Sequence, residues 1–243
     1  MSFEGQRVIV IGASAGIGEA AARSFAAAGA HVVITGRSKE RLEAAAERIG
    51  HPVEQAELDA TDSHSVAAFF DGTGPVDHLV LAASPGAAGL GPLSGLEDAD
   101  LRRAFDGKFF AHVTVLKAAQ PKLRGAASVT FVSAVSARMA APGTAGLAAV
   151  NGAVEAIVPP LAVELAPVRV NAVSPGIIDT RWWDFMPGEQ RTALFEQTAA
   201  ATPAGRVGRA EDVAAAVLFL AGHEFLTGTV LPVAGGANLP TGR

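Results

Sequence analysis

Apolar residues along this chain fall into two alternating patterns. Short β-branched runs read as strands, and longer stretches with apolar residues at helical spacing read as helices. The first run, Val8–Ile11, is apolar without a break, the pattern of a strand buried on both faces. Gly12, Gly16 and Gly18 follow at once, and then Glu19–Ala28 reads as a helix of strong formers. The succession repeats. His31–Thr35 is a strand and Ser38–Gly50 a helix, with Ser38 as N-cap and Gly50 as stop. Pro52–Leu58 is a weaker strand, Asp62–Phe70 a helix capped by Asp62, and His78–Ala82 a strand. After a Gly/Pro loop at Ser84–Gly95, Leu96–Leu123 is helical in two pieces and Ser128–Ser133 is a strand. Gly146–Leu165 is a long helix, Arg169–Ala172 a strand and Ser174–Gly176 a turn. Thr180–Thr202 is polar and aromatic without strand character, Ala210–Gly222 is a helix, and Thr229–Val233 is the last strand. Repeated strand–helix units predict one α/β domain over residues 1–243: a doubly wound parallel sheet with helices on both faces and right-handed crossovers. The ligand belongs beyond the carboxyl ends of the strands, near the first glycine turn.

Strand, glycine turn and helix together present free backbone N–H groups to an anion. The first N–H groups of a helix lack internal partners, and the helix dipole favours negative charge there. Glycines let the backbone turn sharply and approach a ligand closely. The spacing here is GxxxGxG over Gly12, Gly16 and Gly18, not the GxGxxG of the standard dinucleotide fingerprint. If this turn cradles a pyrophosphate, the end of the second strand meets the adenosine ribose. An acid there would select NAD. This chain has Thr35-Gly36-Arg37-Ser38, and the Arg37 guanidinium suits a 2′-phosphate, so NADP(H) is expected over NAD(H). Asp59, after the weak third strand, serves either the adenine amino group or a turn.

Composition narrows the classes. Hydrophobic residues make up 49% of 243, enough for a substantial core. The net charge of −5 without a basic block speaks against a nucleic-acid surface. With no cysteine there is no disulfide, thiolate nucleophile or Cys-ligated metal, which suits a cytoplasmic protein. The N-terminus does not read as a signal peptide. Leu147–Ala166, the most apolar long stretch, carries Asn151, Glu155, Glu164 and a Pro–Pro pair, and reads as a buried helix, not a membrane span.

Gly12-Ala13-Ser14-Ala15-Gly16-Ile17-Gly18, Thr35-Gly36-Arg37, Val132–Val135, Leu161–Gly176, Gly208-Arg209 and Pro232–Gly236 together resemble the short-chain dehydrogenase/reductase family over essentially the whole chain. The resemblance implies a Rossmann-type sheet of about seven parallel strands and assembly into homodimers or homotetramers. It also implies an NADP(H) site built on Gly12, Ser14, Gly16, Ile17 and Gly18, with Arg37 and Ser38 at the ribose phosphate and Asp59 and Ala60 at the adenine. Asn151 stands at the nicotinamide ribose. Pro175, Gly176, Ile178 and Thr180 stand at the carboxamide, and Thr180 also suits an N-cap.

The other half of the site departs from the family, whose members pass hydride to or from a carbonyl with a tyrosine as proton donor. A lysine four residues later, a serine and an asparagine support that tyrosine. A developing alkoxide needs such a proton and such stabilisation. Here the tyrosine position is Leu147, the lysine Asn151, the serine Ala134 and the asparagine Lys108, and the chain contains no tyrosine at all. Three readings follow: a protein that binds NADP(H) without ordinary turnover, a rewired oxidoreductase, or a non-catalytic subunit that pairs with an active family member. In the rewired site Lys108 supplies the cation, Ser133, Ser136 and Asn151 orient water or a carbonyl, and His112, one turn beyond Lys108, is either a second acid or a packing or interface residue. Pro159-Pro160 should break the Gly146–Leu165 helix near Val158, because proline in a helix interior costs about 3 kcal/mol, and with it alter the interface the family forms there. Trp182, Trp183, Phe185 and Met186 either wall a small apolar or aromatic ligand or pack as a lid or against a neighbouring subunit.

Overall fold

A computed structural model describes residues 1–239. In chain order the elements begin β1 (Arg7–Ile11), α1 (Gly16–Ala27), β2 (His31–Gly36), α2 (Lys39–Ile49), β3 (Glu54–Glu57), α3 (Ser63–Asp71) and β4 (Val76–Leu81). Next come α4 (Asp98–Ala104), a π-helical segment Phe105–Phe110, α5 (Ala111–Ala119), β5 (Leu123–Val132), α6 (Ala145–Ala156) and α7 (Val158–Glu164). The chain closes with β6 (Arg169–Pro175), β7 (Ile178–Asp179), α8 (Gly188–Ala201), β8 (Gly208–Arg209), α9 (Ala210–Gly222) and β9 (Val230–Val233). Seven strands form one parallel sheet in the order β3-β2-β1-β4-β5-β6-β9, and β7 pairs with β8 separately. This is the doubly wound Rossmann-type sheet the pattern implied.

β1 shows why a continuous apolar run was required. Val8 and Val10 pack into a core with Phe25, Leu42 and Val217 from α1, α2 and α9. Ile9 and Ile11 point the other way, to Val66, Val115 and Val154 from α3, α5 and α6. All four residues are buried, each worth about 1.5–3 kcal/mol of apolar transfer. Strand order reverses between β1 and β4, and a ligand crevice opens where it does.

Local signals fare unevenly. Ser38 and Asp62 cap their helices, accepting from Arg41 N at 3.3 Å and His64 N at 3.0 Å, and Gly50 closes α2 with φ +70°. Helix α1 starts at Gly16, so Gly16 and Gly18 lie in its first turn and not ahead of it. Strand β5 begins at Leu123, earlier than Ser128, and Ser174 and Pro175 belong to β6, paired with Pro232 and Val233, instead of forming a turn. Within Thr180–Thr202 lies an unforeseen helix, α8, which buries no residue and so shows no apolar stripe. The long helix is interrupted at Ile157, one residue before the position expected from Pro159-Pro160. Both prolines fall in the first turn of α7, where no intrahelical donor is lost. Ala145–Glu164 taken together is long and apolar enough to cross a membrane, yet one face, including Val154, Val158 and Ala162, covers the sheet. Its other face is open, with Val163 at 81% exposure, so this stretch is half-buried and not a fully buried helix.

Candidate functional site

A cleft of about 610 Å³ runs across the carboxyl ends of the strands at the switch point. It joins the glycine turn at one end to Lys108, Leu147 and Asn151 at the other.

At the first end, Gly12 has φ +82°, and a Cβ there would lie 2.7 Å from the backbone of Ala83 after β4. A Cβ on Gly18 would stand 2.2 Å from Gly12 O. Both glycines are needed so that β1, β4 and α1 can converge. Ala15 holds the extended N-cap position of α1 with no side-chain hydrogen bond, so no protein cap competes for the first N–H groups, and the adjoining residues line the cleft. That is the open donor set a pyrophosphate requires. Beyond β2, Arg37 and Arg41 both line the cleft and are exposed, and among the described residues neither guanidinium has a salt bridge or side-chain hydrogen-bond partner. Asp59 accepts from Thr61 N at 2.9 Å and Thr61 Oγ1 at 2.7 Å. Those bonds, with the Arg37 charge, hold its carboxyl below the usual range despite some desolvation, leaving Oδ2 free for a donor.

At the far end, the π-helical segment carries Lys108, which is 8% exposed and donates to Ser133 O at 3.4 Å. Burial pushes its ammonium down to about 8, against the opposing pull of Glu155. Glu155, also buried, ties the surrounding elements together. Its Oε1 accepts from Ser133 Oγ at 2.8 Å and Ser174 Oγ at 2.7 Å, and its Oε2 accepts from Arg138 Nε at 2.8 Å. Asn151 Nδ2 donates to Ser136 Oγ at 3.1 Å and Leu147 O at 2.9 Å, while its buried Oδ1 has no partner among the described residues. An orphaned acceptor in the cleft wall, where a nicotinamide ribose would lie, fits a hydroxyl-bearing ligand.

Most of the expected residues meet in this cleft: Gly12, Ser14, Gly16, Ile17, Gly18, Arg37, Asp59, Ala60, Lys108, Ser133, Ser136, Asn151, Pro175, Gly176, Ile178 and Thr180 all line it. Ser38 does not; its hydroxyl caps α2 and donates to Glu40 at 2.7 Å, and Arg41 lines the wall instead. Ser133 lines the cleft, but its one proton is directed at Glu155 and Val173 O, which removes it as a donor to a carbonyl. Ser136, whose oxygen accepts from Asn151, donates to no acceptor among the described residues. His112 packs and does not serve as an acid: it is fully buried outside the cleft wall, against Phe131, with Nε2 3.0 Å from Ala83 O. Burial and the Lys108 charge push its imidazole down to about 3, so it stays neutral. Thr180 Oγ1 accepts from Trp182 N at 3.4 Å, the capping role read for it. Trp182 and Trp183 line the cleft edge-to-face, 4.6 Å between ring centres, and Trp183 Nε1 donates to Ile178 O at 3.0 Å. Sequence reasoning missed Arg41, Glu155 and Arg138. A basic residue one helical turn after Arg37, and a lone acid on an apolar helix face, were the available signals.

The family model described as "Enoyl-(Acyl carrier protein) reductase" matches residues 12–238. The chain is 32% identical over 248 residues to the 3-oxoacyl-[acyl-carrier-protein] reductase of Escherichia coli, covering 97% of this chain and 98% of that one. To the galactitol 2-dehydrogenase (L-tagatose-forming) of Cereibacter sphaeroides it is 34% identical over 248 residues, covering 96% and 95%. A crystal structure of a small-chain dehydrogenase in complex with NADPH superposes with a TM-score of 0.83 at 33% identity, covering 97% of this chain and 99% of that one. A short-chain type dehydrogenase/reductase from Mycobacterium ulcerans gives a TM-score of 0.90 at 29% identity, covering 100% and 93%.

Proposed function

The chain belongs to the short-chain dehydrogenase/reductase family of oxidoreductases, and from that premise we propose that it binds NADP(H) in preference to NAD(H) while lacking the family's tyrosine-based proton transfer. The observation that carries this reading is the contrast within one cleft. Two guanidiniums without partners among the described residues, Arg37 and Arg41, line one end, and Leu147, at the position the family resemblance gives to the acid, lines the other. A 2′-phosphate between two guanidiniums gains charge-assisted hydrogen bonds that a bare ribose cannot offer. The bound nicotinamide supplies or accepts hydride. The chain's part is to hold the pyrophosphate on the N–H groups of α1, the ribose at Asn151 Oδ1 and the carboxamide near Pro175–Thr180. The similar small-chain dehydrogenase solved in complex with NADPH supports the cofactor class.

Rewired catalysis is the second reading, favoured by Lys108 in the cleft wall and by the Ser136 hydroxyl, which donates to no acceptor among the described residues. There the lysine places positive charge beside a developing alkoxide and the serine donates to it. Exposed apolar side chains on the flank, Phe110 at 53% and Val163 at 81%, favour assembly of two or four copies, and cytoplasmic placement completes the reading.

Nucleotide titration is the test, followed by Trp-to-NADPH energy transfer. The expected result is NADPH binding that weakens in Arg37→Ala and Arg41→Ala while weak NADH binding is unaffected. Equal affinity for the two cofactors, unchanged by either substitution, would overturn the preference. No binding of either at millimolar concentration would leave the non-catalytic subunit.

A further inference from the structure

Lys108 has chemistry that the cofactor site does not use. Of the four lysines in the chain it alone is buried: Lys39 and Lys117 are exposed, and Lys122 is half-buried at the surface, donating to Asp71 O at 3.3 Å. Lys108 lines the cleft together with Leu90, Leu147 and the aromatic pair Trp182 and Trp183, so an apolar molecule in the cleft has access to it. Its nitrogen makes one long hydrogen bond, 3.4 Å to Ser133 O, and among the described residues no carboxylate lies within salt-bridge distance. Glu155 is already engaged by Ser133, Ser174 and Arg138. An ammonium carries three donors and no acceptor. Buried with one weak bond and no ion pair, the charged form loses stability, and the environment raises the share of neutral amine. A neutral primary amine facing an apolar cleft attacks carbonyl carbon.

We propose that Lys108 forms an imine with a small apolar aldehyde or ketone taken into this cleft. Nζ attacks the carbonyl carbon, the C–N bond forms, and the C=O π pair moves to oxygen. That oxygen takes the proton released by nitrogen to give a carbinolamine. Loss of the hydroxyl as water, with a second proton from solvent, leaves the protonated imine. One carbonyl compound and the amine thus give one imine and one water, with no change in oxidation state and no further reactant. Apolar side chains around Lys108 reduce the water beside the product, and the Glu155 carboxylate acts on its charge only through space. This goes beyond the cofactor reading and does not depend on it.

The test uses the full chain without nucleotide, with benzaldehyde as probe and cyanoborohydride to trap imines at neutral pH. Peptide mapping by mass spectrometry then compares the rates of benzyl labelling at each lysine. Lys108 is expected to label at least about tenfold faster than the exposed Lys39 or Lys117. Lys108→Arg, with an unchanged thermal midpoint, is expected to lose this fast label and keep the slow ones. Labelling of Lys108 at or below the rate of Lys39 and Lys117 would overturn the proposal, and the wild-type map alone decides this if the variant does not fold. Since no nucleotide is present, this outcome is read separately from the NADPH titration.

Discussion

Glu155 is the group on which the far end of the cleft converges, and replacing it should cost more than any exposed acid in the chain. Two buried hydroxyls, Ser133 at 3% exposure and Ser174 at 1%, donate to it from the ends of β5 and β6, and Arg138 donates from the following loop. Glu155→Gln keeps the shape and one acceptor oxygen for both serines. Its loss falls on Arg138, whose Nε would face an amide N–H instead of a carboxylate oxygen. A hydrogen bond to a charged group contributes about 1.5–3 kcal/mol. The Arg138 side chain is 53% exposed and water recovers part of that, so the expected loss is about 2 kcal/mol. Glu155→Leu removes every acceptor. Ser133 falls back on Val173 O at 3.2 Å, Ser174 is left without a partner and Arg138 loses its ion pair, so about 3–5 kcal/mol is expected. For a chain of this length 1 kcal/mol moves the thermal midpoint by roughly 2–4 °C, so Gln should lower it by roughly 4–8 °C and Leu by more. Denaturant unfolding followed by circular dichroism, with thermal melts alongside, measures both. A Glu155→Leu protein within about 0.5 kcal/mol of wild type would refute the claim that this carboxylate holds the cleft together.

Three further outcomes are expected. Arg41→Ala should weaken NADPH about tenfold, the effect of one charge-assisted phosphate contact of about 1.4 kcal/mol, and leave NADH unchanged in the same titration. Gly18→Ala, whose Cβ would lie 2.2 Å from Gly12 O, should abolish nucleotide binding or folding, read by titration and circular dichroism; a normal affinity would contradict the close approach of α1 and β1. His78, buried against Phe3 and Phe25, has its imidazole pushed by burial from 6.5 down to about 4, with Arg169 acting the same way and Asp77 opposing. The unfolded chain therefore binds the proton first, and stability falls as pH drops from 6.5 towards 4, by roughly 3 kcal/mol for this residue. Urea midpoints measured against pH should show that slope in wild type and a shallower one in His78→Asn.

The sheet was legible because β1 and β2 carry continuous β-branched runs buried on both faces, the pattern of central parallel strands. The glycine turn was legible for a similar reason: Gly12 and Gly18 stand where any Cβ would strike backbone. Helix α8 was not, because it buries nothing and carries no periodic stripe to read. Leu147, Asn151, Ala134 and Lys108 could be placed only by analogy with a family pattern. The use each polar group makes of its hydrogen bonds lay beyond the sequence altogether. Ser133 and Ser136 look equivalent in the chain, yet one donates to Glu155 and the other donates to no acceptor among the described residues. His112 sits one turn from Lys108, but a single turn of helix was enough to carry it behind the cleft wall into the core.

The central claim is a cofactor site retained without tyrosine chemistry. The chain's only tryptophans, Trp182 and Trp183, line the same cleft, and with no tyrosine present nothing else fluoresces strongly. One sample can therefore report both binding and turnover: NADPH titrated by energy transfer from these tryptophans, then a panel of aldehydes and ketones added while NADPH oxidation is followed, for wild type and Lys108→Ala. The account predicts saturable NADPH binding in wild type and no carbonyl-dependent oxidation in Lys108→Ala. Steady oxidation at equal rates in both proteins would contradict it.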